Sequence, residues 1–175
     1  MTLSLMDLEE RLKQGESLEE ILRRTEWRDF EELTSAIMRE AGFLTIKNFR
    51  FSSRKKRYEV DVIALENPRI ILVDCKKWDL RVGKASGLKL SASRHLNRSL
   101  EFLDKLQEFR EFDLRGWKTV IVIPILVTLY EEVVREYGGV LVVPVFKMTS
   151  FLESVRSGVF DQISRQVIKL EGWVL

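Results

Sequence analysis

The chain has 175 residues, 45% of them hydrophobic and 32% charged, with a formal net charge of +2 and one cysteine. That is enough apolar material for one ordinary core without a structural metal, and a lone thiol excludes an intrachain disulfide. The longest apolar run, residues 120–127, is too short to cross a bilayer and is broken by Pro124, so a soluble, cytoplasmic protein with no membrane partner is expected.

Two short helices are predicted first, over about residues 5–14 and 18–24, the second opened by a Ser17/Glu20 capping box. Residues 27–41 carry Trp27, Phe30, Leu33, Ile37, Met38 and Ala41 at helical spacing, with Gly42 as the C-terminal cap. Glu32 points away from that apolar stripe and Glu31 lies along its margin, as a boundary residue or facing a site between helix and sheet. A strand follows over residues 44–51, then an acidic hairpin, then a polar stretch around Val82-Gly83 and Ser86-Gly87. A long helix is predicted over about residues 93–112, with Leu96, Leu100, Leu103 and Leu106 inward. Residues 117–129 and 140–146 read as buried strands, separated by a short helix at 131–137 and a turn at Gly138-Gly139; a Ser150/Glu153 capping box opens a last helical region.

The hairpin carries the chemistry. Residues 58–65 and 70–76 read as strands joined around Asn67-Pro68. Alternation puts Glu59, Asp61, Ile63 and Leu65 on one face, and Ile70, Leu72, Asp74 and Lys76 on the matching face of the next strand. A symmetric register sets Leu65 opposite Ile70, Ile63 opposite Leu72, Asp61 opposite Asp74 and Glu59 opposite Lys76, with paired Cβ atoms about 5 Å apart. Facing aspartates persist only if one is protonated, both are solvated or a cation lies between them. The other face, with Tyr58, Val60, Val62, Ala64, Ile71, Val73 and Cys75, is apolar. The acids therefore interrupt a buried pattern, which favours function over a solvated surface pair.

Charge is unevenly spread. Residues 1–40 are net −5, whereas residues 47–98, which surround the acids, are net +9. Arg54, Lys55, Lys56 and Arg57 lead into the first acidic strand, and Lys77, Arg81, Lys84, Lys89, Arg94 and Arg98 follow the second. Such a field attracts polyanions and makes these ten residues candidates for DNA phosphate contacts.

An acid on the first long helix, an aspartate on the second strand and acid-x-Lys on the third are together similar to the PD-(D/E)xK nuclease superfamily. The closest likeness is to Mrr-type restriction endonucleases and archaeal Holliday junction resolvases. It is carried by Phe30-Glu31 leading to Ala41-Gly42-Phe43, by Glu59-Val60-Asp61-Val62-Ile63-Ala64, and by Val73-Asp74-Cys75-Lys76-Lys77-Trp78. Val60 stands where the motif's name has proline, and Asp74 where glutamate is commoner; neither change removes a ligand. The resemblance implies an α/β, restriction-endonuclease-like fold whose αβββαβ core has a mixed central sheet flanked by helices. The expected core is residues 27–130, with 1–26 an N-terminal helical extension and 131–175 completing the same domain.

The same resemblance implies catalytic roles for Glu31, Asp61, Asp74 and Lys76. Mg²⁺ or Mn²⁺ would be held by Asp61, Asp74 and the Cys75 backbone carbonyl, with Glu31 a further candidate ligand and Lys76 positioning the attacking water or stabilising charge on the phosphate. Glu59 is either an additional acid near the metal or the partner of Lys76. The implied function is endonucleolytic hydrolysis of DNA, with branched, modified or foreign DNA as substrates and a homodimer left open. The alternative is a nuclease-fold module that binds DNA or a protein partner without cutting, the acidic N-terminal segment being one surface for such a partner.

Other site readings are weaker. His95, the only histidine, has no second ligand at zinc spacing and reads as a surface or phosphate-contacting side chain at a helix start. Trp27, Trp117 and Trp173 read as packing residues, and Trp78 as a side chain near DNA. No P-loop, dinucleotide or hydrolase-elbow motif is present.

Overall fold

The computed structural model describes residues 4–78, 84–160 and 167–168. Three helices come first: α1 (Leu5–Lys13), α2 (Leu18–Arg24) and α3 (Trp27–Glu40). The Ser4 and Ser17 hydroxyls accept the amides of Asp7 and Glu20, satisfying donors that a helix start leaves open. α3 stops at Gly42, whose φ of 90° lies in the left-handed region; its amide reaches Arg39 O at 2.8 Å and the Phe43 amide reaches Met38 O at 3.0 Å.

β1 (Leu44–Ser53), β2 (Lys56–Glu66) and β3 (Arg69–Lys76) then form an antiparallel meander. α4 (Lys84–Lys105) crosses over to β4 (Val120–Thr128), which lies parallel to β3. β5 (Glu136–Tyr137) hairpins onto β6 (Val140–Pro144), β6 runs parallel to β4, α5 (Met148–Arg156) follows, and β7 (Val167–Ile168) pairs antiparallel with the start of β4. The result is a seven-stranded mixed sheet in the order β1-β2-β3-β4-β6-β5, with β7 beside β4.

Helices cover both faces, as the expected α/β architecture requires. Val62, Ala64, Val73, Cys75 and Ile125 pack against Ile21, Leu22, Phe30, Leu33 and Met38, and against Met148 and Leu152 of α5. Opposite, Ile63, Leu65, Ile70, Leu72 and Val122 pack against Phe102 and Leu106. Phe49, Phe51, Phe102, Phe109 and Phe112 extend this second core, with contacting ring centroids 5.0–6.1 Å apart.

One irregularity decides where the site lies. The β1–β2 ladder pairs Lys47 with Val62 and Phe49 with Val60 but leaves out Asn48 and Asp61, and Asn48 has a φ of 52°. Side-chain alternation reverses there on both strands. Val60 and Tyr58 therefore pack with Ile63 and Leu65 on the α4 face, and not with Val62 and Ala64 as strict alternation predicts.

Four further expectations are corrected. α4 starts at Lys84, so Ser86-Gly87 is helical: a Cβ on Gly87 would meet the Trp78 ring at 3.2 Å, so the absence of a side chain lets Trp78 lie on the helix. Leu100 is 43% exposed, whereas Leu96, Leu103 and Leu106 pack inward. No helix forms over residues 131–137, because Gly138 and Gly139, both at positive φ, fold β5 onto β6. α5 starts at Met148, directly after a 3-10 turn over Val145–Lys147, so Ser150 lies inside the helix and cannot cap it.

Candidate active site

β2 and β3 pair from Glu66↔Arg69 to Val62↔Val73 and then part. The expected register is observed at Leu65↔Ile70 and Ile63↔Leu72, but Asp61 and Asp74 do not continue it as a ladder pair. Asp61 Oδ2 instead accepts the Cys75 amide at 2.7 Å, so a side chain takes over where the backbone ladder ends. Burial foremost, and then the negative charge of Asp74, push the Asp61 carboxyl up to about 7 against the pull of that amide.

Asp74 is 4% exposed and meets a cation at each oxygen: Lys76 Nζ lies 2.8 Å from Oδ2 and Arg98 Nη1 3.0 Å from Oδ1. Burial works against its charge, but His95, Lys76 and Arg98 together outweigh it and hold the carboxyl below the usual range. Arg98, expected among the phosphate contacts, is thus engaged with an acid of the site. His95 is corrected too. It is fully buried, with Nε2 2.9 Å from Leu72 O and Nδ1 3.5 Å from Arg98 Nη1, and burial pushes it down to about 4, so it is neutral at physiological pH.

Glu31 approaches from the other side. It is 8% exposed on the first turns of α3, where the Trp27 indole N–H donates to its Oε1, and burial pushes its carboxyl up. Lys76 Nζ lies 5.9 Å from the centroid of the Trp27 ring, linking the helix to the third strand. Glu59 does not partner Lys76. The reversal at Asp61 turns it toward β1, where Arg50 Nε meets its Oε2 at 2.9 Å.

Trp27, Glu31, Glu59 and Asp61 line a cleft of about 720 Å³, together with Arg28, Lys47 and Arg50. Among the described residues, no three acidic, histidine or cysteine side chains converge closely enough to hold a metal by themselves. Asp61 accepts the Cys75 amide and Asp74 is the residue next to Cys75 on β3, so both carboxylates lie by the Cys75 backbone.

Of the remaining basic candidates, Lys55, Lys56 and Arg57 are exposed on the β1–β2 hairpin, and Lys89 and Arg94 are exposed on α4. Arg54 is tied to α4 through Asp104 at 3.3 Å and Glu101 at 3.6 Å. Lys77 donates to the Thr25 carbonyl. Arg81 and Trp173 lie outside the described residues, as does the side chain of Lys84. Trp78 is half-buried and packs against the cluster of Leu88 and Ala92 on α4. Trp27, a packing residue by sequence, borders the cleft; its signal is its place one helical turn before Glu31.

Residues 22–98 match the family model Mrr_cat, described as a restriction endonuclease. An uncharacterized protein of Archaeoglobus fulgidus is 26% identical over 129 residues, covering 74% of this chain and 91% of its own length. Among solved structures, a protein of unknown function, AF1548, is 16% identical with a TM-score of 0.39, covering 70% of this chain. The protein VC1899 from Vibrio cholerae is 15% identical with the same TM-score, covering 80%. The chain spans 54% and 35% of the lengths of those two structures. The fold is restriction-endonuclease-like, and residues 22–98, the stretch that holds Glu31, Asp61, Asp74 and Lys76, are similar to the Mrr-type restriction endonuclease model.

Proposed function

We propose that the protein is a metal-dependent endonuclease that hydrolyses phosphodiester bonds of DNA, with Asp61, Asp74 and Lys76 at its centre and Glu31 in support. The observation that carries this reading is the convergence of Asp61, Asp74 and Lys76 around the Cys75 backbone, with Asp61 accepting the Cys75 amide at 2.7 Å and Lys76 2.8 Å from Asp74; the negative charge of Asp74 also pushes the Asp61 carboxyl up. A cation between the two aspartates would relieve that repulsion. Their oxygens and the Cys75 carbonyl form an all-oxygen donor set, which suits Mg²⁺ or Mn²⁺ retaining several waters.

When bound, the metal supplies Lewis acidity for the scissile phosphate and lowers the pKa of a bound water. The protein does the rest. Asp61, beside the Cys75 amide, would hold the metal in its deprotonated form. Lys76, 2.8 Å from Asp74, would offer its ammonium to the charge growing on the phosphate. Glu31, held by the Trp27 indole, keeps a carboxyl at the cleft wall to orient a water.

A second reading, a nuclease-fold module that binds without cutting, is favoured by one observation: both oxygens of Asp74 are already occupied by cations. The two separate on labelled linear, single-stranded, flapped and four-way-junction DNA with Mg²⁺, Mn²⁺ or EDTA. Metal-dependent cutting lost in Asp61→Ala and Lys76→Ala is the expected result. Binding without cutting on every substrate would overturn the proposal and establish the module.

A further inference from the structure

β3 accompanies β2 only from Val62 to Glu66, so among the described residues the half of β2 that starts at Lys56 has β1 as its sole strand partner. The two strands continue past the site as a two-stranded ribbon. One face is fixed, since Phe49, Phe51 and Val60 pack on the aromatic core and Arg54 is tied to Asp104 and Glu101 of α4. The reversal at Asn48 and Asp61 sends Arg50 and Arg57 to the other face, where both line a groove of about 490 Å³. Arg50 and Glu59 border this groove and the cleft of Asp61 alike, so the two openings adjoin.

The tip is unusual for a tight hairpin. Arg54 and Lys55 both take positive φ, 47° and 65°, where two-residue turns of this geometry favour Asn-Gly. Basic side chains stand in positions whose backbone prefers other residues, and such departures concentrate where function holds them. Arg54 is spent on α4 and Arg50 on Glu59. Lys55, Lys56 and Arg57 are exposed and have no acidic partner among the described residues.

We propose that this ribbon enters the major groove of duplex DNA, with Lys55, Lys56 and Arg57 on phosphates to one side of the cut. The major groove of B-form DNA admits a two-stranded β-ribbon, whereas that of duplex RNA is too deep and narrow. Five residues of strand separate Lys56 from Asp61, about 17 Å, which matches about five base pairs along the duplex axis. The inference rests on the nuclease reading for its substrate and adds that the substrate is double-stranded beside the cut.

The test is anisotropy with a labelled 20-base-pair DNA in EDTA, titrated across salt, so that binding is read without cleavage. Lys55→Ala/Lys56→Ala/Arg57→Ala should flatten the slope of log affinity against log salt by roughly 2 to 3, and the Lys55→Ala/Lys56→Ala pair by roughly 2. Thermal melts should match wild type, and duplex RNA of equal length should compete poorly. An unchanged slope in both variants, equal competition by duplex RNA, or no wild-type binding overturns the ribbon. Loss of the nuclease reading is separable: it shows as slope-dependent binding without cutting, whereas failure of the ribbon alone leaves cutting with an unaltered slope.

Discussion

Asp61 accepts the Cys75 amide through Oδ2 at 2.7 Å, so one candidate metal ligand is aligned by the backbone of the residue whose carbonyl is another. The bond fixes Asp61 relative to the third strand without a further side chain. Asp74 and Lys76 leave that same strand one residue to either side of Cys75.

Lys76→Ala should separate metal binding from turnover. Removing a cation 2.8 Å from Asp74 leaves a more attractive site for a divalent ion, so Mn²⁺ titration should show affinity unchanged or tighter. The single-turnover cleavage rate should fall by about 10²–10³-fold. Weaker Mn²⁺ binding in this variant would assign Lys76 to building the site instead of to the reaction.

Asp61 and His95 should give opposed pH dependences of stability in EDTA. Between about pH 4 and 7 the unfolded chain has lost the Asp61 proton and the folded chain keeps it, so this group makes stability fall as pH rises. Between pH 6.5 and about 4 the unfolded imidazole takes a proton that buried His95 refuses, so this group makes stability fall as pH drops. The shift is worth up to about 4 kcal/mol for Asp61 and about 3 kcal/mol for His95, and across their common window they offset. Urea denaturation of Asp61→Asn should uncover the loss toward acid, and His95→Gln the loss toward neutrality. Curves parallel to wild type in both variants would refute the assignment.

Asn48 should tolerate glycine and reject a β-branched residue. Its φ of 52° is open to glycine without cost, so Asn48→Gly should stay within about 1 kcal/mol of wild type in urea denaturation. Asn48→Val should cost about 2 kcal/mol or more and reduce cleavage, because the opposing Asp61 depends on the same kink. Equal stability for the two variants would show that the kink is not held by this residue.

Phe102→Ala should cost about 3–5 kcal/mol. The ring is fully buried and meets Phe49, Phe51, Phe109 and Phe112. It is also the floor under the β1–β2 ribbon, so the unfolding midpoint should drop without loss of cooperativity. A cost under about 1 kcal/mol would mean that the aromatic cluster closes over the gap.

The hairpin register was legible because apolar residues flank Asn67-Pro68 symmetrically, and a slip by one residue would have turned them all to the wrong face. The reversal at Asp61 was hidden by Val60 and Val62: both are apolar and both are buried, one in each core, so composition does not reveal which way either points. The one local signal was Asn48, a residue type that accepts positive φ. His95 was misread from its basic neighbours, although Leu88, Ala92, His95, Ser99 and Phe102 lie at helical spacing and all are buried. The early start of α4 depends on Trp78 lying across Gly87, a contact that no local propensity encodes. Arg98 could be seen as basic, but its use on Asp74 follows only from the packing of α4 on β3.

Among the described residues β1 ends the sheet, and a long regular strand with one side unpaired invites another chain to add on and begin a fibrous stack. The interruption at Asn48 divides that border into two short pieces that point their side chains in opposite senses, with Lys47 and Arg50 beside the break. The kink that sets Asp61 where the strands part thus also breaks up that regular edge, and straightening it would remove the break along with the site.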